Sequence, residues 1–141
     1  MSLVYWDANL FIYLMEEHPL YAPKVQAIRT RMLDRGDQLC TSAFALGEVL
    51  AGTYISGNEE FALRYKAVLR PPGVEIIDFD RIAADHYARI RTDPSITRPD
   101  ALHLACAASA KVDLFLTNDV RLKKKFVRGI QFISDLDGHM L

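Results

Sequence analysis

Residues 3–17 read LVYWDANLFIYLMEE, and the change of pattern at Asp7 decides the fold. Leu3 to Trp6 is a short apolar run that reads as a buried strand, and it stops at the carboxylate. Ala8 to Glu17 then reads as a helix. The same alternation continues outward. Pro19 to Arg35 reads as a second helix, with Val25, Ile28, Met32 and Leu33 on one face, and Gly36 ends it. Gln38 to Ser42 is a second strand, followed by helices over Ala43–Ile55 and Glu59–Arg70. Pro71-Pro72-Gly73 is a turn. Val74 to Ile77 is a third strand, Asp80 to Arg91 a helix and Asp93-Pro94 a loop. An alanine-rich helix from Pro99 to Lys111 leads to a fourth strand, Asp113 to Thr117. A short basic helix, Val120 to Phe126, leads to a fifth, Ile130 to Ile133.

Strands separated by helices need crossover connections, which make a parallel sheet. The expected fold class is therefore α/β: a three-layer sandwich with a mainly parallel five-stranded sheet flanked by helices. The 141 residues fit one domain spanning the whole chain. Half the residues are hydrophobic and a quarter charged, which excludes disordered and fibrous classes. The net charge of −1 excludes a protein that coats polyanions, although a local basic patch can still bind nucleic acid. Such a patch is visible: Arg121, Lys123, Lys124, Lys125 and Arg128 lie close together, whereas residues 1–60 carry eight acids against four bases. Cys40 and Cys106 form no CxxC pair and read as buried free thiols of a reducing compartment. The start of the chain lacks the basic region of a signal peptide, and no uncharged stretch approaches the ~20 residues that span a bilayer. The expected setting is cytoplasmic, with no membrane.

In parallel α/β folds, sites form beyond the carboxyl ends of the strands. Four acids fall there. Asp7 follows strand one, Glu48 lies in the apolar helix after strand two, Asp100 opens the helix feeding strand four, and Asp119 follows strand four. Each has a plain structural role available. Asp7 and Asp119 suit helix N-caps, and Asp100 suits a capping box with Thr97. Glu48 sits among Phe44, Leu46, Val49 and Leu50, where a carboxylate needs a cation or a hydrogen-bonding cluster. Four carboxylates at one sheet edge would repel one another, and a divalent cation relieves that repulsion. Oxygen ligands without a His/Cys cluster favour Mg²⁺ or Mn²⁺ over Zn²⁺. Cations held this way suit phosphodiester hydrolysis.

At these residues the chain resembles a known family. Asp7-Ala8-Asn9-Leu10-Phe11-Ile12-Tyr13 is similar to the opening motif of PIN-domain ribonucleases. Ser42-Ala43-Phe44-Ala45-Leu46-Gly47-Glu48-Val49 resembles their second motif, Pro99-Asp100-Ala101-Leu102-His103-Leu104-Ala105 their third, and Thr117-Asn118-Asp119 their fourth. The size and the start at strand one are similar to VapC-type toxins of bacterial toxin–antitoxin pairs. The resemblance implies Mg²⁺- or Mn²⁺-dependent endonucleolytic RNA cleavage, a homodimer, and an antitoxin partner seated in a groove near the active site. It implies that Asp7, Glu48, Asp100 and Asp119 are the catalytic, metal-centred carboxylates, and that Asn9, Ser42 and Thr117 support them. His103 departs from the pattern, because an aliphatic residue is commoner at that position; it reads as a structural or rim histidine. His18, His86 and His139 show no partner pattern.

Arg98, Arg121 and Lys123 are candidate contacts to RNA phosphates, with Arg89 and Arg91 beside the same loop. A solvated helix face explains the basic run equally well. Receiver domains need an acidic pair after strand one and a lysine after strand five; here Ala8-Asn9 and Ser134-Asp135 stand instead. A haloacid-dehalogenase-like phosphatase wants an acid where Asn9 stands. The remaining alternative is a non-catalytic RNA- or protein-binding module with the same fold.

Overall fold

The computed structural model describes residues 1–138. Its centre is β1 (Leu3–Trp6), paired in parallel with β2 (Gln38–Ser42) on one side and β4 (Leu114–Leu116) on the other. The strand β3 (Val74–Ile77) extends the first side and β5 (Phe132–Ser134) the second, so the order is β3-β2-β1-β4-β5 and every pairing is parallel. Val4, Tyr5 and Trp6 are all buried, as expected of a strand covered on both faces.

Alternate side chains feed two cores. Val4, Trp6, Leu39, Leu114 and Leu116 face α1 (Ala8–Met15), α2 (Ala22–Arg35) and part of α3 (Ala43–Ile55), together with Tyr65 of α4 (Glu59–Val68). Tyr5, Cys40 and Phe115 face α5 (Arg81–Ile90) and α6 (Arg98–Ser109). The alanines of α6 let it lie close to the sheet, and Leu104, Ala105, Cys106 and Ala107 are fully enclosed. This is the three-layer sandwich the sequence implies. Cys40 and Cys106 are free and buried, and burial pushes both thiols up, Cys106 to about 11. Among the described residues no helix is long and apolar enough to cross a membrane.

Three boundaries differ from the sequence reading. The second helix begins at Ala22 rather than Pro19, because His18 Nδ1 accepts the backbone N–H of Leu20 and of Tyr21 (3.1 Å each) and holds that segment as a turn. His18 therefore does have partners. The basic helix is a single turn, α7 (Val120–Lys123), ending three residues before Phe126. The last strand starts at Phe132 instead of Ile130. Ile130 is instead a buried plug beyond a turn at Gly129, which has φ +98°. Several helices also start or end a residue or two inside the expected bounds. His139 lies outside the described residues.

The turn at Gly129 presses on α6. A Cβ there would lie 2.8 Å from the Ala108 carbonyl oxygen and 3.1 Å from its Cβ. Gly129→Ala combines this clash with a backbone conformation L-residues rarely adopt, so it should destabilise the domain by about 1–3 kcal/mol. Chemical denaturation compared with the parent protein measures it; an unchanged midpoint would mean that the turn relaxes freely.

Candidate active site

The chain lays β2 and β3 on one side of β1, then returns to lay β4 and β5 on the other. The order reverses at β1, and in such sheets ligands bind beyond the carboxyl ends of the strands at the reversal. Asp7 and Thr117 stand there, one residue past β1 and β4. The Asp7 N–H donates to the Leu116 carbonyl (3.3 Å), and the Thr117 hydroxyl donates to Asp7 Oδ2 (2.7 Å). Asp7 Oδ1 accepts the Leu10 N–H at 3.4 Å, so the residue also caps α1. Capping and site placement are thus compatible uses of one carboxylate. Burial pushes the Asp7 carboxyl above its ordinary value, and the bond from Thr117 offsets only part of that rise.

A cavity of about 230 Å³ opens over this point, lined by Asp7, Asn9, Ile12, Glu48, Pro99, Asp100 and His103, among others. Three of the four expected carboxylates therefore share one space. Asp100 is placed by the start of α6: the Thr97 hydroxyl caps the helix by accepting the Asp100 N–H (3.4 Å), and Pro99 occupies its first turn. Glu48 projects from α3, whose N-cap is Ser42; Ser42 Oγ accepts the Ala45 N–H at 3.0 Å. Asn9 is exposed on the cavity rim.

Glu48 meets its need for a partner through His103. Its Oε1 lies 2.5 Å from His103 Nε2, while His103 Nδ1 lies 2.7 Å from the Tyr5 hydroxyl, which is 2.8 Å from Ser42 Oγ. His103 is 5% exposed and packs edge-on against Tyr5 and Phe44. It is structural, as the sequence reading has it, and it also lines the acidic cavity. Tyr5 is absent from the sequence's candidate set. One signal was available: a phenol inside an apolar strand needs a hydrogen-bond partner.

Asp119 stands apart from the other three. It caps α7 through the Arg121 N–H (2.9 Å), and both its oxygens are gripped by the Arg121 guanidinium (3.1 and 2.8 Å). Arg121 holds the Asp119 carboxyl below its ordinary value and is itself raised in return. Asp119 faces a neighbouring cavity of about 360 Å³ with Ser95, Asp100, Arg121, Leu122, Lys124 and Lys125. Asp100 borders both cavities, and Thr117 joins the two acids at the switch point by also accepting the Asp119 N–H (3.1 Å). Lys123 pairs with Asp135 (3.1 Å), and Lys125 with Asp93 (3.0 Å). Arg91 donates to the Ile96 carbonyl and Arg89 pairs with Asp85, so both serve local structure. Arg98 is exposed at the start of α6. His86 lines a different cavity with Arg89, Phe126 and Arg128, which shares no residue with the acidic one.

The donor set fits a hard divalent cation. Asp7, Glu48 and Asp100 bring only oxygen to one cavity, and burial leaves the Asp7 charge under-compensated. Among the described residues no three acidic, histidine or cysteine side chains stand close enough to enclose an ion. Mg²⁺ does not require enclosure, since it keeps several waters and binds through one or two carboxylates.

The PIN domain family model matches residues 4–126, and the chain belongs to that family of nucleases. Among solved structures, the chain is similar to VapBC2 of Rickettsia felis, a structure with a DNA fragment from its promoter. The two are 19% identical, with 94% of this chain and 98% of that one covered and a TM-score of 0.74. It is similar to DNA-bound VapBC of Salmonella typhimurium (25% identical, 96% and 99% covered, TM-score 0.69). It is also similar to VapBC-1 of nontypeable Haemophilus influenzae (20%, 96% and 99%, TM-score 0.71). No curated protein matches it in sequence.

Asp7→Asn should stabilise the metal-free protein at neutral pH. Asparagine caps equally well and can bond Thr117 once that hydroxyl reverses. A raised folded-state carboxyl means that the native state sheds its proton less readily than the unfolded chain. The parent protein therefore loses stability as pH rises from the ordinary carboxylate range through the raised value. The melting temperature of Asp7→Asn, relative to the parent, should climb across that window in EDTA and level off above it. A difference independent of pH would mean that Asp7 ionises without penalty.

Proposed function

We propose that this protein is a divalent-metal-dependent endoribonuclease and the toxin of a bacterial toxin–antitoxin pair. One observation carries the reading: Asp7, Glu48 and Asp100 line a single cavity at the switch point of a parallel sheet, in a chain of the PIN family. Mg²⁺ or Mn²⁺, when bound, would acidify a water and stabilise the phosphorane-like charge that develops at the scissile phosphate. Asp7, Glu48 and Asp100 would hold it. Asp119 joins them through Thr117, and Asn9 stands at the rim to orient the set. Ser42 acts from behind Glu48.

The basic side chains deal with the substrate. Arg98 and Arg121 flank Asp100, and Lys123 follows on α7, a placement that suits successive phosphates of an RNA strand. Arg121 is already paired with Asp119. A phosphate arriving beside it competes for the same guanidinium fork, which releases Asp119 toward the site.

The toxin assignment rests on neighbours that are VapBC and toxin–antitoxin complexes. An antitoxin segment has a place to sit. A cavity of about 240 Å³ lined by Ile12, Glu16, Val49, Gly52 and Phe61, among others, shares Glu48 and Ile12 with the acidic one. Exposed Ile55, Leu63 and Phe126 offer apolar contacts for the antitoxin or for a second copy in a homodimer. The setting of such a pair is the cytoplasm.

End-labelled mixed RNA incubated with the purified protein should give discrete products with Mg²⁺ or Mn²⁺ and none with EDTA. Asp7→Asn or Asp100→Asn should reduce the rate by more than about a hundredfold while keeping the fold. If Asp100→Asn unfolds instead, its capping role dominates. A folded wild-type protein that binds RNA but never cleaves it would overturn the nuclease reading in favour of a binding module.

A further inference from the structure

The bonds behind Glu48 can be counted proton by proton. Ser42 Oγ, the Tyr5 hydroxyl, the His103 ring and the Glu48 carboxylate make three successive contacts of 2.8, 2.7 and 2.5 Å. A neutral imidazole brings one proton, each hydroxyl brings one, and the carboxylate brings none. Three protons thus serve three bonds, and only one arrangement uses them all. Nε2–H must donate to Glu48, because a carboxylate only accepts. Nδ1 is then an acceptor, and the Tyr5 hydroxyl is the donor that reaches it. Having spent its proton, the Tyr5 oxygen accepts from Ser42, whose own oxygen takes the Ala45 N–H at 3.0 Å. Every member is buried except the glutamate, whose side chain is 33% exposed at the cavity.

We propose that Ser42, Tyr5 and His103 form a one-directional hydrogen-bonded brace that fixes Glu48, with Tyr5 and His103 as positioning residues. The brace pins Glu48 Oε1 and leaves Oε2 for the cavity. It also ties α3 to α6 across the end of β1, so the carboxylate's place is set by three elements at once. The proposal deepens the metal-dependent reading of the same site, and rests on it only for what Glu48 does once it is placed. Tyr5 acts at two removes. It satisfies the ring nitrogen that Glu48 leaves unprotonated and so fixes the ring's orientation, as an outer hydrogen-bond partner does for a histidine beside a metal centre.

The first test needs no metal and no RNA. Long-range ¹⁵N–¹H spectra of the metal-free protein, at a mildly alkaline pH, should show His103 as the neutral Nε2–H tautomer. Tyr5→Phe should keep that tautomer, which Glu48 holds, and should shift the resonance of the unprotonated Nδ1 as its hydrogen bond is lost, while the protein stays folded. A ring protonated at Nδ1 only, or an Nδ1 resonance that does not move in Tyr5→Phe, overturns the brace. The second test is a double-mutant cycle on Mn²⁺ binding, followed by the electron paramagnetic resonance of the free ion. Tyr5→Phe and His103→Leu should each weaken binding, by about tenfold or more for His103→Leu, and the pair should be no weaker than His103→Leu alone. Independent, multiplying losses overturn the proposal. If the parent protein binds no Mn²⁺, the metal reading fails, and the tautomer result still decides the brace.

Discussion

The hydroxyl of Thr117 joined to the carboxylate of Asp7 is the contact on which the arrangement depends. It ties the end of β4 to the end of β1 where the sheet changes direction, and places a half-buried negative charge there. Thr117 is itself fully buried, and it accepts the backbone N–H of Asp119 with the same oxygen. One small side chain therefore sets the spacing between the first acid and the last. A valine of equal shape would fill the volume and supply neither bond, leaving Asp7 desolvated without relief.

Around that contact the acids divide into two environments. Asp7 is held up by burial, while Asp119 is held down by the guanidinium of Arg121. Asp100 borders the cavities of both. The asymmetry has a simple electrostatic origin. Residues 1–60 supply eight acids with only four bases, and the stretch from Arg121 to Arg128 supplies the bases beside Asp119. The site lies on the boundary, so its charge is uncompensated on the α3 side and already compensated on the α7 side.

Much of this was legible in the sequence because the signals are local. Asp7 as an N-cap and Thr97 as the start of a capping box are read from a single side chain and the turn that follows, and α1, α3 and α4 open where expected. The strands β1, β2 and β3 are short apolar runs with clear stops. Errors arose where a side chain folding back on the backbone, or a packed neighbour, decides. His18 closes a turn only because its ring folds back on two backbone N–H groups, and Ile130 leaves the strand only because Gly129 turns against α6. The site shows the same division. Asp7 at the end of β1, Glu48 on the helix after β2 and Asp100 on the helix leading to β4 come to one cavity. The clasp of Arg121 on Asp119 and the placement of Tyr5 beside His103 are matters of turn geometry and of residues 98 positions apart.

The chain of bonds behind Glu48 also bears on how this protein can change over generations. Tyr5, Ser42 and His103 are enclosed, and each satisfies the next. Exchanging His103 for an aliphatic residue takes the partner from Glu48 and leaves the Tyr5 phenol with Ser42 alone, while exchanging Tyr5 alone strands a ring nitrogen. Single steps away from the trio are therefore uphill, and a lineage leaves it most easily by replacing tyrosine with phenylalanine and histidine with an aliphatic residue together. Positions 5 and 103 should accordingly travel as a pair, inherited as one character although nearly a hundred residues of chain separate them.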